Sequence, residues 1–380
     1  MKKQIWFRKS TTLKWSAWML LAIIFFTSCR KDAPVDPGVI VPDIKDSSAV
    51  NKGTITGLYV LNEGNMGSSK SSLDFYDFEK DTMYLNVFNK ANPEIVKGLG
   101  DVGNDLGIYG SKLFIVVNNS NKIEVTDAHS VKSLKTIHLN QCRYIAFYKN
   151  NAYVTSNDGY VAVIDTAILA ITDTIHVGRN PEELVVVGSK LYVANSGGYS
   201  PPNYDSTISV IDLNTQKEIK KIPVAINLHR LAADSKGNIY ATSRGDYYTT
   251  PSALYLVNTT TDRVTKKFGI GASNLAMNGD SLYLYQHEFS MNTGDYETNF
   301  SLINTNTLTV GSGFITDGTG KAISTPYGLI VHPQNGNIFI TDAKDYVTPG
   351  TLFCYSREGK LRWSVRTGDI PSGFAFLYKK

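Results

Sequence analysis

One short segment recurs seven times along the chain, and this repetition limits the fold more than anything else in the sequence. The copies read GLYVLN from Gly57, KLFIVV from Lys112, NAYVTS from Asn151, KLYVAN from Lys190, NIYATS from Asn238, SLYLYQ from Ser281 and NIFITD from Asn337. A second series follows in the same register: SLDFYD, KIEVTD, YVAVID, TISVID, ALYLVN, FSLINT and TLFCYS. A third series, DLGIYG, YIAFYK, ELVVVG, RLAADS, NLAMNG and GLIVHP, precedes the later copies, and its last member, GFAFLY, stands near the end of the chain.

The stretch from Pro181 to Val224 shows one whole unit. It reads as four strands: Glu183–Val187, Leu191–Asn195, Thr207–Asp212 and Glu218–Val224. The first, a run of leucine and valine, reads as a strand buried on both faces. The second and third are rich in β-branched and aromatic residues, and the fourth alternates. A lone four-stranded sheet has two faces to cover, so neighbouring units must cover them. Repeats of about 40 to 50 residues with four strands each predict a β-propeller. Seven units predict an all-β fold of seven four-stranded blades, spanning residues 55–380.

The unit at Gly57 lacks a first strand, and Gly373–Tyr378 is a first strand with nothing after it. The two should complete one blade, so that the C-terminal strand joins the N-terminal blade and removes the open sheet edges at the seam.

Ahead of the repeats, Lys2, Lys3, Arg8, Lys9 and Lys14 form a basic n-region, and Trp18 to Phe26 a short apolar h-region. Residues 1–28 read as a secretory signal, too short for a comfortable membrane span. Phe26-Thr27-Ser28-Cys29 resembles a bacterial lipobox, which makes Cys29 the expected lipidation site. Residues 29–54, with three prolines and no apolar period, read as a flexible tether. Removing residues 1–28 leaves 33 Lys and Arg against 34 Asp and Glu, a net charge of −1 rather than +4. No basic stripe remains to suggest nucleic acid. Cys142 and Cys354 fall in distant blades and read as small buried packing residues rather than a disulfide.

In a propeller, function is read from the loops. Turns between first and second strands, and between third and fourth, lie on one face; the other connections lie opposite. The first class is short here, as at Gly110-Ser111, Lys149-Asn150 and Gly188-Ser189. Five second-to-third connections are expanded: Glu63–Ser71, Ser196–Ser206, Arg244–Pro251, Gln286–Asn299 and Ala343–Gly350. The links Asn89–Gly103 and Thr316–Pro326 are also long. All this extra chain falls on one face, which is therefore the expected binding surface. Its rim candidates are Asn62, Glu63, Asn65, Tyr199, Tyr204, Arg244, Asp246, Tyr247, Tyr248, His287, Tyr296 and Tyr346. Arg143, Tyr144, His229, Arg230, Asn274 and Tyr327 should stand near the channel mouth on the same face. Tyrosine supplies flat apolar surface with a polar tip, and arginine and asparagine supply directional donors.

Catalytic patterns are sparse. There is no nucleophile elbow, no H-E-x-x-H and no Cys/His metal spacing. Gly318-Thr319-Gly320-Lys321 lacks the flanking residues of a phosphate loop and reads as a turn. Gly100–Asp105 offers oxygens to a cation without matching an EF-hand. Carboxylates and histidines look dispersed. The expectation is a protein that is not an enzyme and needs no cofactor or metal.

Segments such as KLYVAN, TISVIDLNTQKEI and VGRNPEEL resemble YVTN-type propellers related to YncE. More specifically, YVLNEGNMGS, LGDVGND, VANSGGYSPPNYDSTISVID, NLHRL, SRGDYY, ITDAKDYVTPGTLFCY and WSVRTGDIPSGFAF resemble the BtuG-type surface lipoproteins of gut Bacteroidetes. The resemblance covers essentially the whole chain after the signal. It implies a seven-bladed propeller, lipid-anchored to the outer membrane at the cell surface, that captures cobalamin or other corrinoids and hands them to a TonB-dependent transporter. Arg143, Arg230 or Arg244 could meet the corrinoid phosphate. Two alternatives stay open: a propeller module for haem, a glycan or a surface protein, and a metal-dependent propeller hydrolase.

Overall fold

The computed structural model describes residues 53–290 and 293–379. The signal, Cys29 and all of the tether up to residue 52 lie outside the described residues. Each repeat forms a four-stranded antiparallel sheet, and there are seven sheets. Blade 1 has the order Pro371–Tyr378, Ile55–Asn62, Ser72–Asp77 and Thr82–Tyr84. The C-terminal strand thus supplies its innermost position, with Leu58 opposite Phe376 and Tyr59 opposite Ala375. Blades 2 to 7 follow as residues 103–138, 142–176, 181–223, 228–267, 274–310 and 326–366. Innermost strands touch in succession, and the last meets the first, so the ring is closed.

The packing explains why the repeat is tolerated seven times. The third residue of every recurring second strand is aromatic: Tyr59, Phe114, Tyr153, Tyr192, Tyr240, Tyr283 and Phe339, all buried. Each belongs to a different hydrophobic cluster, and each cluster spans one blade–blade interface. There is no central core. Stability resides in seven similar interfaces, each anchored by a ring that removes roughly 150–250 Å² from water. The Tyr59 hydroxyl also crosses to the next blade and donates to the Ala128 carbonyl at 2.8 Å.

The turn-bearing end is built from one device. Asp77, Asp127, Asp165, Asp212, Asn258 and Asn304 each close the third-to-fourth hairpin by accepting the N–H groups two and three residues on. A left-handed residue follows at a fixed offset in each: Asp81, Val131, Leu169, Gln216, Asp262 and Leu308. A short polar side chain stands in for a backbone acceptor and fixes the turn.

Two local expectations are corrected. The innermost strand of blade 4 is not buried on both faces: Val185, Val186 and Val187 are half-buried because the strand borders the channel, whereas the second and third strands are sealed between blades. Gln286–Asn299 is not a loop. Ser281–Ser290 and Asp295–Asn304 pair from end to end, projecting the hairpin beyond the rest of blade 6. The link from blade 1 to blade 2 contains a helix, Val87–Ala91, whose Val87 and Phe88 enter the first interface cluster. Thr319–Ala322 forms a 3₁₀ turn. Cys142 and Cys354 are free and buried, as expected.

Candidate functional site

The channel mouth is shaped by β-bulges. Six innermost strands shift register near their start: Gly103/Asp105, Cys142/Ile145, Pro181/Leu184, Leu228/Leu231, Pro326/Leu329 and Pro371/Gly373. A regular strand points successive side chains to opposite faces. A bulge interrupts that alternation and re-aims side chains. Arg143 with Tyr144, Glu182 with Glu183, and His229 with Arg230 therefore all join one polar cluster.

Glu182 is its hub. One carboxylate oxygen accepts from Arg143 Nε at 3.1 Å and Nη2 at 2.7 Å, and the other from Arg244 Nη1 at 3.3 Å. Burial pushes Glu182 up, but Arg143 and then Arg244 hold it below the usual range. Burial lowers Arg143 in turn, and Glu182 with Tyr144 and Tyr199 raises it above its ordinary value. Arg143 also donates to Asn104. The Tyr144 ring lies between two guanidiniums, 5.4 Å from Arg143 and 5.0 Å from Arg230. Its hydroxyl shares a 3.0 Å hydrogen bond with His229 Nε2. Burial, then the charges of Arg244, Arg230 and Arg143, hold His229 well below its ordinary value, so the ring is neutral. Arg230 faces Glu183 at 3.7 Å. Opposite, Tyr327 donates to Glu63 at 3.1 Å, and Asn274 donates to the Tyr327 carbonyl at 2.9 Å. Burial pushes Glu63 up to about 7 against the pull of Arg143, the Tyr327 hydroxyl and Arg230. It pushes Asp105 up to about 7 as well, against the Ile145 N–H it accepts.

Around this floor stands an aromatic rim. Among the described residues six aromatic side chains are exposed: Tyr199, Tyr247, Tyr248, Phe289, Tyr296 and Tyr346. Tyr199, Tyr247, Tyr248 and Tyr346 lie on second-to-third loops, and Phe289 and Tyr296 on the projecting hairpin of blade 6, all at one end of the ring. In four blades the second strand is followed by a left-handed residue, Gly64, Gly197, Gly245 or Lys344. Two positions later an exposed large side chain stands up: Met66 at 72%, Tyr199 at 69%, Tyr247 at 67% and Tyr346 at 43%. Two of these loops share Asp-Tyr-x-Thr. Asp246 accepts from the amides of Tyr248, Thr249 and Thr250, and Asp345 from those of Val347 and Thr348. Tyr247 and Tyr346 are held left-handed, at φ 65° and 63°, a conformation rare for aromatic residues.

A pocket of about 290 Å³ opens between the blade 4 and blade 5 loops, lined by Arg143, Asn180, Glu182, Tyr199, Asn227, Arg244 and Tyr247 among others. Tyr204 borders the same loops, where burial and then Tyr247 and Asp246 raise its phenol. The Asn227 Oδ1 has no hydrogen-bond partner among the described residues. On the far side Asn65 donates to the Tyr346 carbonyl at 2.6 Å, and Tyr327 meets Tyr346 edge-on at 6.1 Å. His287 stacks on Tyr296 at 5.0 Å and shares a hydrogen bond with Thr298.

The structure thus brings together Arg143, Tyr144, His229, Arg230 and Tyr327 at the mouth, and places Tyr199, Tyr204, Arg244, Tyr247, Tyr248, Tyr296 and Tyr346 around it. Some expected rim residues have other roles. Asn62 is fully buried and spends its amide on Ser72 and Asp74 inside blade 1. Asp246 ties down its own loop. Glu63 belongs to the channel wall, and His287 sits on a strand. Asp101 Oδ2 accepts from the Gly67 N–H and the Asn119 amide, and Asp105 accepts the Ile145 N–H, so in Gly100–Asp105 these oxygens serve the fold. Sequence reading missed Glu182 and Glu183, and took Asp105 for a cation-loop oxygen rather than a group of the mouth. The expectation of dispersed carboxylates is overturned, because the mouth gathers acids from three blades, Glu63, Asp105 and the pair Glu182 and Glu183. They are interleaved with arginines, and among the described residues no three His, Cys, Asp or Glu side chains are grouped to hold a metal ion.

Comparison with known proteins agrees with this architecture. No curated protein matches the chain. Among solved structures the chain is similar to hydrazine synthase of Kuenenia stuttgartiensis, at 17% identity and a TM-score of 0.59, over 71% of this chain and 88% of that one. At that identity the likeness concerns the fold alone. A family model, the Domain of unknown function DUF5074, matches residues 56–349, so the chain belongs to that family.

Proposed function

We propose that this DUF5074 protein is a capture module: a lipoprotein of the outer membrane that binds cobalamin or a related corrinoid on its loop-bearing face and passes it to a TonB-dependent transporter. The observation that carries the reading is the confinement of every exposed aromatic side chain among the described residues to one end of the ring, around a polar mouth. Monomeric proteins seldom leave such a surface uncovered without a partner. A corrinoid is a wide disc with amide arms, a nucleotide tail and one phosphate. Tyrosine faces suit the disc, and the arginine donors suit the arms and tail. The motifs that resemble BtuG-type proteins fall on this face, at Glu63–Gly67, Ser196–Asp205, Leu228–Arg230, Arg244–Tyr248 and Lys344–Gly350. A lipid on Cys29 and a tether would keep the module near its transporter at high effective concentration.

Incubation with cyanocobalamin followed by desalting tests this directly. Red protein with one corrinoid per chain is expected, and a protein that releases cobalamin on desalting but retains haem or a glycan would redirect the reading. A second reading, a propeller enzyme, draws on the gathered carboxylates, since acids titrating near 7 are placed for proton transfer. Bound corrinoid recovered with unchanged mass supports capture; a changed mass supports the enzyme.

A further inference from the structure

The pocket between Tyr199 and Tyr247 has an unbalanced charge. Its wall holds two cations, Arg143 and Arg244, and one anion, Glu182; its other lining residues are neutral. The three arginines of the mouth differ in what they have left to give. Arg143 is committed to Glu182 and Asn104 through three donors and is 16% exposed. Arg230 stands over Tyr144, faces Glu183 and is not part of the pocket wall. Arg244 is 30% exposed and gives Glu182 a single N–H, leaving Nε and Nη2 without a partner among the described residues. Its own backbone is pinned, with N–H donating to the Asn227 carbonyl at 3.0 Å, so the side chain starts from a fixed point. A guanidinium with two free parallel donors matches a two-oxygen acceptor. The pocket is near the lower end of the roughly 300–1,000 Å³ of small-molecule sites, too small for a macrocycle and suited to a substituent.

We infer that this pocket is an oxyanion subsite in which Arg244 forks onto a singly charged group of the ligand, with the Tyr199 and Tyr247 rings flanking what the group is attached to. The inference rests on the corrinoid reading for its ligand: in cobalamin the matching group is the phosphodiester of the nucleotide tail, because the ring's carboxyl arms are amidated. Arg143 and Glu182 keep the charge of the site at plus one, matched to a monoanion. Arg244 is then the residue that separates corrinoids with the nucleotide tail from those without it.

Isothermal titration with cyanocobalamin and with cobinamide, which lacks the nucleotide and its phosphodiester, tests the assignment. Arg244→Gln should weaken cyanocobalamin binding by about 10- to 100-fold and cobinamide binding by less than about threefold. The melting temperature should stay close to wild type, since Glu182 keeps Arg143. In the wild-type protein, raising salt should weaken cyanocobalamin but leave cobinamide, supplied as the neutral dicyano form, nearly flat; this arm decides the matter if the variant does not fold. Equal losses for both ligands, no loss for either, or a salt response common to both would overturn the subsite while leaving corrinoid capture intact. Wild-type protein that binds neither corrinoid would overturn the capture reading, and the subsite with it.

Discussion

The two ends of the ring solve different problems. At the turn-bearing end, six of the seven third-to-fourth hairpins are closed by the same Asp or Asn contact, with a left-handed residue at the same offset. At the other end the expanded connections differ in length from 8 to 14 residues, share no more than short motifs such as Asp-Tyr-x-Thr, and one continues as a paired hairpin. Both ends face water and cap the same seven sheets, so packing alone gives no reason for the difference. Where the chain repeats itself it is meeting a geometric need. Where it departs from the repeat it exposes tyrosine and gathers charge, which a scaffold does not require.

Substitutions at the two ends should therefore separate stability from binding. The largest effect is expected at the mouth, where scaffold and site overlap. Glu182→Ala strips the buried Arg143 of its counter-ion and should cost about 3–5 kcal/mol, read by chemical denaturation; a loss below about 1 kcal/mol would mean that water compensates Arg143. Replacing Tyr199 and Tyr247 together by Ala should weaken cyanocobalamin binding by roughly 100-fold with little change in melting temperature. The converse result, lost stability with intact binding, would make the rim a packing element. At the turn end, Asp212→Ala removes two amide contacts and should lower the melting temperature slightly with corrinoid affinity unchanged.

The smallest effect concerns pH. Glu63 and Asp105 have ordinary values of 4.5 and 3.8, and in the folded protein both are raised to about 7. The folded state therefore holds their protons more tightly than the unfolded chain does. Their contribution to stability is full below the unfolded values and is lost as pH rises through about 7, the reverse of a salt-bridged carboxylate. Glu63→Gln, which cannot lose a proton, should flatten this decline by on the order of 1 kcal/mol. Identical pH profiles for variant and wild type would contradict it.

The ring was legible because a propeller writes its period into the chain: seven second strands with the same aromatic position declare seven interfaces, and the unmatched Gly57 and Gly373 segments declare the closure. The loaded face was legible because loop length is visible in sequence. The acids of the mouth were not. Glu182-Glu183 precede a run of Leu and Val and look like a strand margin, and only the register shift at Pro181/Leu184 shows that both turn into the mouth. Asn62 erred in the other direction: an asparagine at a loop entrance looks available, yet here it satisfies the buried Asp74. The extended hairpin at Gln286–Asn299 escaped because Gly294 and the polar run around it resemble a loop, whereas the paired strands show no core-facing alternation there to announce them.

Hydrogen–deuterium exchange with and without saturating cyanocobalamin addresses the asymmetry most directly. Slowed exchange should appear in Glu63–Ser71, Ser196–Ser206, Arg244–Pro251 and Ala343–Gly350, with the third-to-fourth hairpins of every blade unchanged. Protection spread over both ends, or centred on those hairpins, would contradict the account.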